Sequence, residues 1–289
     1  MPELPEVETI ANGVHARVHG ARIAAVWTSG KPQTFKSPES EIAEALTGAT
    51  IDSVRRVGKT IVMTVHRGKS RKPAATEFLI HLGMTGRLLV SPPEVPQPPH
   101  THAVLTLSPE PGKTARREIR FVDPRRFGRL SIHRPSPPAE NRQLTTSYIG
   151  PGREPLTISP DDFIALFRNR KTPIKAALLN QSLLHGVGNI YADESLFRAG
   201  IRPRRQAGRL TRAELLRLRS ALKTVLRRAI KLGGSSVSDY VDAEGMRGYF
   251  QIEHKVYGRA AEPCTECGTP IRKITLAGRG THFCPHCQR

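Results

Sequence analysis

The sequence predicts a multidomain α+β chain, on three observations. Eight short runs rich in Val, Ile and Leu lie between residues 22 and 133, behind one amphipathic stretch. Beyond residue 155 the apolar period becomes that of a helix. All four cysteines fall in the last 26 of 289 residues. That length suffices for two or three domains with a sizeable core.

Val7, Ile10, Ala11, Val14 and Val18 recur at helical spacing, so 5–18 reads as a leading helix. The runs 22–28, 50–57, 60–66, 77–82, 87–91, 103–108, 118–122 and 128–133 are separated by Gly, Pro or charged turns. Strands so spaced predict a β-sandwich or barrel. Basic 67–76 and proline-rich 92–99 read as inserted loops, and 134–155 as an interdomain linker. The expected domains are therefore 1–134, 156–253 and 254–289, joined by 135–155.

In the second domain, Ser159 followed by Pro160 starts a helix, and Thr172-Pro173 repeats that pattern for 172–180. Gly186-Val187-Gly188 is a tight turn feeding a helix over 189–199. Thr211 with Glu214 forms a capping box. It opens a long helix with Leu215, Leu218, Leu222, Val225, Leu226 and Ile230 on one face, stopped by Gly233. Its other face, with Arg212, Arg219, Lys223 and Arg227, reads as a solvated basic stripe. The Gly- and Ser-containing stretch 233–249 reads as a loop.

The formal net charge is +20 and the sequence pI about 10.6. Such a chain calls for a polyanionic partner, of which nucleic acid is the leading candidate. Acidic lipid is the rival, but no basic amphipathic helix sits at either end to support it. No apolar run approaches the ~18 residues of a membrane span, and the start is acidic rather than signal-like. A cytoplasmic protein without a membrane partner is expected.

Cys264-x2-Cys267 and Cys284-x2-Cys287, 16 residues apart, have the spacing of a tetrahedral four-cysteine zinc site. Four thiolates close the coordination shell, so one structural Zn2+ is expected rather than a catalytic one. Strand-like 271–276 and 281–284 around Ala277-Gly278-Arg279-Gly280 predict a hairpin with Arg279 at its tip.

The first ten residues, Met1-Pro2-Glu3-Leu4-Pro5-Glu6-Val7-Glu8-Thr9-Ile10, are rich in acid within a basic chain. If Met1 is removed, Pro2 carries a secondary α-amine titrating near 8, against roughly 10.4 for lysine. A neutral amine can attack carbon and form an imine, with Glu3 next to it to move a proton. The plainer reading of the same residues is a helix start, with proline and acid in the first turn.

Together these pieces resemble the bacterial formamidopyrimidine-DNA glycosylase family (Fpg or MutM). The resemblance rests on PELPEVET at 2–9, HLGMTG at 81–86, DPRRFG at 123–128, GVGNIYADE at 186–194 and the four-cysteine finger. It implies an N-terminal β-sandwich with a leading helix, a helix–two-turns–helix domain and a C-terminal zinc-finger β-hairpin, with DNA held in a cleft. It is weaker over 67–76, 92–99 and 134–155.

By that resemblance, Pro2 is the nucleophile at C1′ and Glu3 the acid assisting sugar-ring opening, with Glu6 in support. Lys59 lies beside a backbone phosphate. Arg279 binds the lesion-flanking phosphates and serves the second elimination. His100, Arg125, Arg170, Lys175 and Asn189 face DNA. Met84, Arg125 and Phe127 fill the gap left by an everted nucleotide, because chemistry at C1′ needs that nucleotide out of the stack. The implied protein is a monomeric bifunctional glycosylase and lyase, acting on oxidised purines in double-stranded DNA through a Pro2 Schiff base and β,δ-elimination. Two alternatives remain at this level: an endonuclease VIII-type enzyme for oxidised pyrimidines, and a non-catalytic zinc-containing binder of damaged DNA.

Overall fold

The apolar stripe at the start forms α1 (Leu4–Val18), which buries Val7, Ile10, Ala11, Val14 and Val18. The computed structural model describes residues 1–68, 76–109, 114–134, 152–236 and 241–289. Most of the expected 67–76 insertion, most of the expected linker and part of the 233–249 loop lie outside the described residues. The chain divides into two units, Met1–Leu144 with Ser235–Gly248 and Thr145–Gly234 with Tyr249–Arg289.

In the first unit, α1 is followed by β1 (Ile23–Thr28), α2 (Glu39–Leu46), β2 (Thr50–Val57), β3 (Thr60–His66) and β4 (Thr76–His81). Then come β5 (Arg87–Ser91), β6 (Thr101–Leu107), β7 (Arg117–Val122) and β8 (Arg129–His133). Two four-stranded antiparallel sheets result, ordered β1-β6-β7-β5 and β2-β3-β4-β8. Ile23, Leu105, Ile119 and Phe121 of one sheet share a core with Ile51, Ile61, Met63, Phe78 and Ile80 of the other, and with the buried face of α1. This is a sandwich rather than a barrel. All eight expected strands form, with ends shifted by at most two residues.

The helix α2 has no counterpart in the sequence reading. Its buried side chains are Ile42 and Leu46, and two apolar positions four apart are too few to register as a period. The proline-rich insertion is pinned from within: the buried Arg120 donates to the carbonyls of Pro92 at 3.2 Å and Pro96 at 3.3 Å, and pairs with Glu118 at 2.8 Å. The 235–248 segment docks through Ala243, which is fully buried in the sandwich core. Val90 N–H donates to the Ala243 carbonyl at 3.0 Å. Gly13 makes room for it, since a Cβ there would lie 3.2 Å from Ala243 Cβ.

The second unit contains α3 (Pro160–Phe167), α4 (Ile174–Leu179), α5 (Asn189–Ala199), α6 (Arg212–Lys231) and a hairpin of β9 (Arg272–Leu276) and β10 (Arg279–Phe283). Ser159 caps α3 by accepting from Asp162 N–H at 3.1 Å. The capping box of α6 is complete: Glu214 N–H donates to Thr211 Oγ1 at 3.2 Å, and Thr211 N–H to Glu214 at 2.8 Å. Helix α6 ends at Lys231, just before Gly233 and Gly234, both at positive φ. Helix α5 is buried nearly all round, from Ile190 to Phe197, so it is the axis of this unit. No described helix is long and apolar enough to cross a membrane.

The α6 cap carries a pH dependence. Arg205 donates two bonds to the Glu214 carboxylate, at 2.5 and 3.1 Å, and this holds its pKa down at about 2 against an ordinary 4.5. Native Glu214 therefore stays ionised where the unfolded chain binds the proton. Its contribution is full above pH 4.5 and is lost as pH falls toward 2. Arg205→Met is expected to remove about 1–2 kcal/mol at neutral pH and to flatten this part of the acid limb. Thermal unfolding of the two proteins across that window measures the difference.

Candidate active site

The N-terminal residues are held by the helix they start. Glu3 is the N-cap of α1 and is buried, as is Pro2. Glu6, 1% exposed, uses both carboxylate oxygens on backbone donors: Glu3 N–H at 2.9 Å and Ser235 N–H at 2.7 Å. A buried carboxylate needs such partners, and the result is a clip between the chain start and the root of the 235–248 segment. With Met1 attached, the Pro2 nitrogen is an amide; loss of Met1, whose side is half exposed to solvent, would turn it into the amine.

Lys59 is half-buried at the turn between β2 and β3, where Val57 pairs with Thr60. Gly58 takes the first central position at φ +61, as a two-residue hairpin turn of this hand requires. Arg56 fixes this turn to α1, with Nε donating to Glu8 at 2.5 Å and Nη1 to the Gly58 carbonyl at 3.1 Å. His81, on the residue paired with Thr60, is pushed down to about 4, first by burial and then by Lys59 and Arg129. It is neutral at pH 7, and its Nδ1 accepts from Gly83 N–H at 3.2 Å.

Met84, Arg125 and Phe127 lie on two adjoining loops and are all exposed. The Arg125 guanidinium stands 4.6 Å from the Phe127 ring centroid, a cation–π contact. Asp123 holds both loops from beneath. It is fully buried and accepts from Thr85 Oγ1 at 2.6 Å, Gly128 N–H at 2.7 Å and Arg125 N–H at 3.3 Å. The loops meet backbone to backbone, since a Cβ on Gly83 would lie 2.5 Å from the Phe127 carbonyl carbon. His100, exposed and at φ +66, joins this patch because its carbonyl accepts from Asp123 N–H at 3.0 Å.

In the second unit, Arg279 is exposed but is not the apex of its hairpin. Ala277 and Gly278, at φ +48 and +71, form a two-residue turn, and Arg279 pairs with Leu276 as the first residue of β10. Of the expected turn 277–280, only Ala277 and Gly278 turn, because a non-glycine enters the left-handed region, and Arg279 and Gly280 belong to the strand. Arg170 is half-buried, with Nε on the Leu166 carbonyl at 2.5 Å. Asn189 is half-buried at the start of α5 and donates to the Gly280 carbonyl at 3.0 Å. Lys175, expected on a DNA-facing surface, lies in the interior at 1% exposure, where Asp193 attracts its ammonium at 2.7 Å.

The finger cysteines bring their four sulfurs within 4.8 Å of one another. Cys264 and Cys287 lie 3.9 Å apart and Cys267 and Cys284 3.5 Å. Sulfurs about 2.3 Å from a tetrahedral zinc sit about 3.8 Å apart, so the donor set fits that ion. Glu266 N–H and Cys287 N–H point at Cys264 and Cys284 sulfurs, at 3.5 and 3.4 Å, as thiolate ligands require. Phe197 of α5 packs with Val256, Ile271 and the buried cysteines, so the finger is seated on that helix.

Sequence reasoning missed Arg56, Asp123 and Asp193, whose contacts hold other candidate residues in place. Asp123 and Asp193 sit inside the quoted motifs, but their burial is invisible without the fold. Asp123→Asn would set an amide N–H2 against donors now accepted, and is expected to cost about 1–3 kcal/mol in thermal unfolding. Arg125→Ala, on the exposed side of the same loop, is expected to change stability by less than about 0.5 kcal/mol.

Comparison with known proteins agrees with this arrangement over its whole length. Residues 1–130 match the profile of the formamidopyrimidine-DNA glycosylase N-terminal domain, 150–241 that of its H2TH domain, and 261–289 that of the zinc finger found in FPG and IleRS. A formamidopyrimidine-DNA glycosylase of Solibacter usitatus is 43% identical over 290 residues, covering 100% of both chains. The crystal structure of the MutM (Fpg) protein of Thermus thermophilus superposes with TM-score 0.81 at 40% identity, over 99% of this chain and 98% of that one. A Lactococcus lactis FPG mutant in complex with Fapy-dG-containing DNA gives TM-score 0.82 at 31% identity, over 100% of each. With the sandwich, the helical unit and the four-cysteine finger each matched in order, the chain belongs to the formamidopyrimidine-DNA glycosylase family.

Proposed function

We propose that this protein is a DNA glycosylase for oxidised purines, 8-oxoguanine and formamidopyrimidines, that also nicks the resulting abasic site. The observation that carries the reading is the chain start. Pro2 and Glu3 are adjacent, buried and fixed by the Glu6 clip, in a chain matched to this family from end to end.

Freed of Met1, the Pro2 amine attacks C1′ and displaces the base, giving an iminium between protein and sugar. Glu3 assists ring opening and later proton transfers. The iminium acidifies the C2′ proton, so the 3′-phosphate leaves by β-elimination. Lys59 binds a backbone phosphate in this reading. A δ-elimination assisted by Arg279 then releases the 5′-side phosphate and leaves a one-nucleotide gap. Met84, Arg125 and Phe127, exposed on loops braced by Asp123, occupy the vacated stack. His100, Arg170 and the Asn189 end of α5 add DNA contacts. Cys264, Cys267, Cys284 and Cys287 hold one structural zinc, which stiffens the Arg279 hairpin and takes no step in the chemistry. The work is done in the bacterial cytoplasm, at the nucleoid.

The test is strand cleavage of an 8-oxoguanine duplex, with borohydride present to reduce the iminium. Cleavage with phosphate at both ends and a covalent adduct are expected, and Pro2→Gly should lower the adduct yield at least tenfold. A thymine-glycol duplex should react more slowly. Absence of both adduct and cleavage would leave only a binder of damaged DNA. Binding should also weaken steeply between 50 and 200 mM salt, on the order of 10³-fold for a protein meeting several phosphates. A flat response would contradict phosphate tracking.

A further inference from the structure

We propose that the buried Lys175–Asp193 pair is a positioning device that sets the register and facing of Arg279. The inference rests on the reading of Arg279 as the residue of the second elimination. Lys175 Nζ reaches Asp193 Oδ1 at 2.7 Å, and donates to the Gly280 carbonyl and to Thr281 Oγ1, both at 2.9 Å. The other Asp193 oxygen accepts from His282 N–H at 2.8 Å. Asn189 adds a second donor to Gly280 O, and Thr281 Oγ1 donates to the Arg279 carbonyl at 3.1 Å. Residues 279–282 are thus tied in sequence to α4 and α5, while the Arg279 side chain stays exposed.

The physical need is specific. A two-stranded hairpin is marginal by itself. A one-residue slip in a strand turns every side chain to the opposite face. Arg279 and Thr281 share one face of β10. Capturing Thr281 through Lys175 therefore fixes the face on which Arg279 stands. The nearest metal-site cysteine on this side, Cys284, follows Phe283 at the far end of β10, away from Arg279 at the turn. A buried ion pair is also weak as a source of stability, because an apolar pair of similar volume does as well. Both groups are at or below 1% exposure, and what the charges add here is direction.

The experiment reads the ratio of doubly eliminated to singly eliminated product from an 8-oxoguanine duplex under single-turnover conditions. Bound zinc and borohydride adduct yield are measured on the same samples. Thr281→Val, which removes the hydroxyl that accepts from Lys175 and donates to the Arg279 carbonyl but removes no charge, should keep zinc and adduct yield while the ratio falls about threefold. Lys175→Met/Asp193→Leu, which removes both charges together but leaves the His282 N–H without its acceptor, should keep zinc and stay folded at the assay temperature, with a melting temperature only a few degrees lower, while the ratio falls at least tenfold. Lys175→Arg, with a different donor geometry, should not restore it. An unchanged ratio in Thr281→Val and the double variant overturns the proposal. So does a fall that merely follows lost zinc or lost stability. If instead the unaltered protein forms no adduct and cuts nothing, the enzymatic reading itself has failed, which is a separate result.

Discussion

One buried carboxylate sets the geometry of the N-terminal residues. Glu6 sits within α1, out of water, and its two oxygens receive backbone N–H groups from Glu3 and from Ser235, the latter 229 residues beyond Glu6 in sequence. An unpaired carboxylate in that position would be costly, so the chain start and the Ser235 segment are held wherever Glu6 is held. Helix α1 in turn is fixed by its apolar face in the sandwich core and by the Arg56 link from Glu8 to the Gly58 turn. Pro2, Glu3 and Lys59 are thereby fixed to one framework, although they belong to a chain terminus and a hairpin turn, two places that usually fray.

The same division recurs within each unit. Met84, Arg125, Phe127 and Arg279 are exposed, and buried polar groups hold the backbone beneath them. Asp123 does this for Met84, Arg125 and Phe127; the Lys175–Asp193 pair does it for Arg279. Glycines complete the arrangement where backbones touch, as at Gly83 against Phe127. Flexible, reactive side chains on rigid supports are what a catalytic constellation needs.

Much of the fold was legible because the signals were local. The strand runs are bounded by turn residues, α6 announces its capping box, and the cysteine spacing specifies a metal geometry. Helix α2 was not legible, since eight residues carry only two buried apolar positions. The hairpin apex was misplaced by one residue because Ala277 adopts a backbone that alanine rarely takes. Of the candidate site, the residues proposed to carry chemistry stand in motifs, whereas their supports do not stand out. Lys175 shows why: a lysine in a basic chain reads as surface, and only the fold reveals Asp193 facing it. Arg56 is hidden the same way, as one of two adjacent arginines in a strand.

The central claim is that a secondary amine at Pro2 captures the sugar. Peptide mapping of the borohydride-reduced conjugate, by mass spectrometry after proteolysis, addresses it directly. The sugar remnant is expected on the peptide that begins with Pro2, at its α-nitrogen. A remnant on Lys59 or any other lysine, with the N-terminal peptide unmodified, would contradict it.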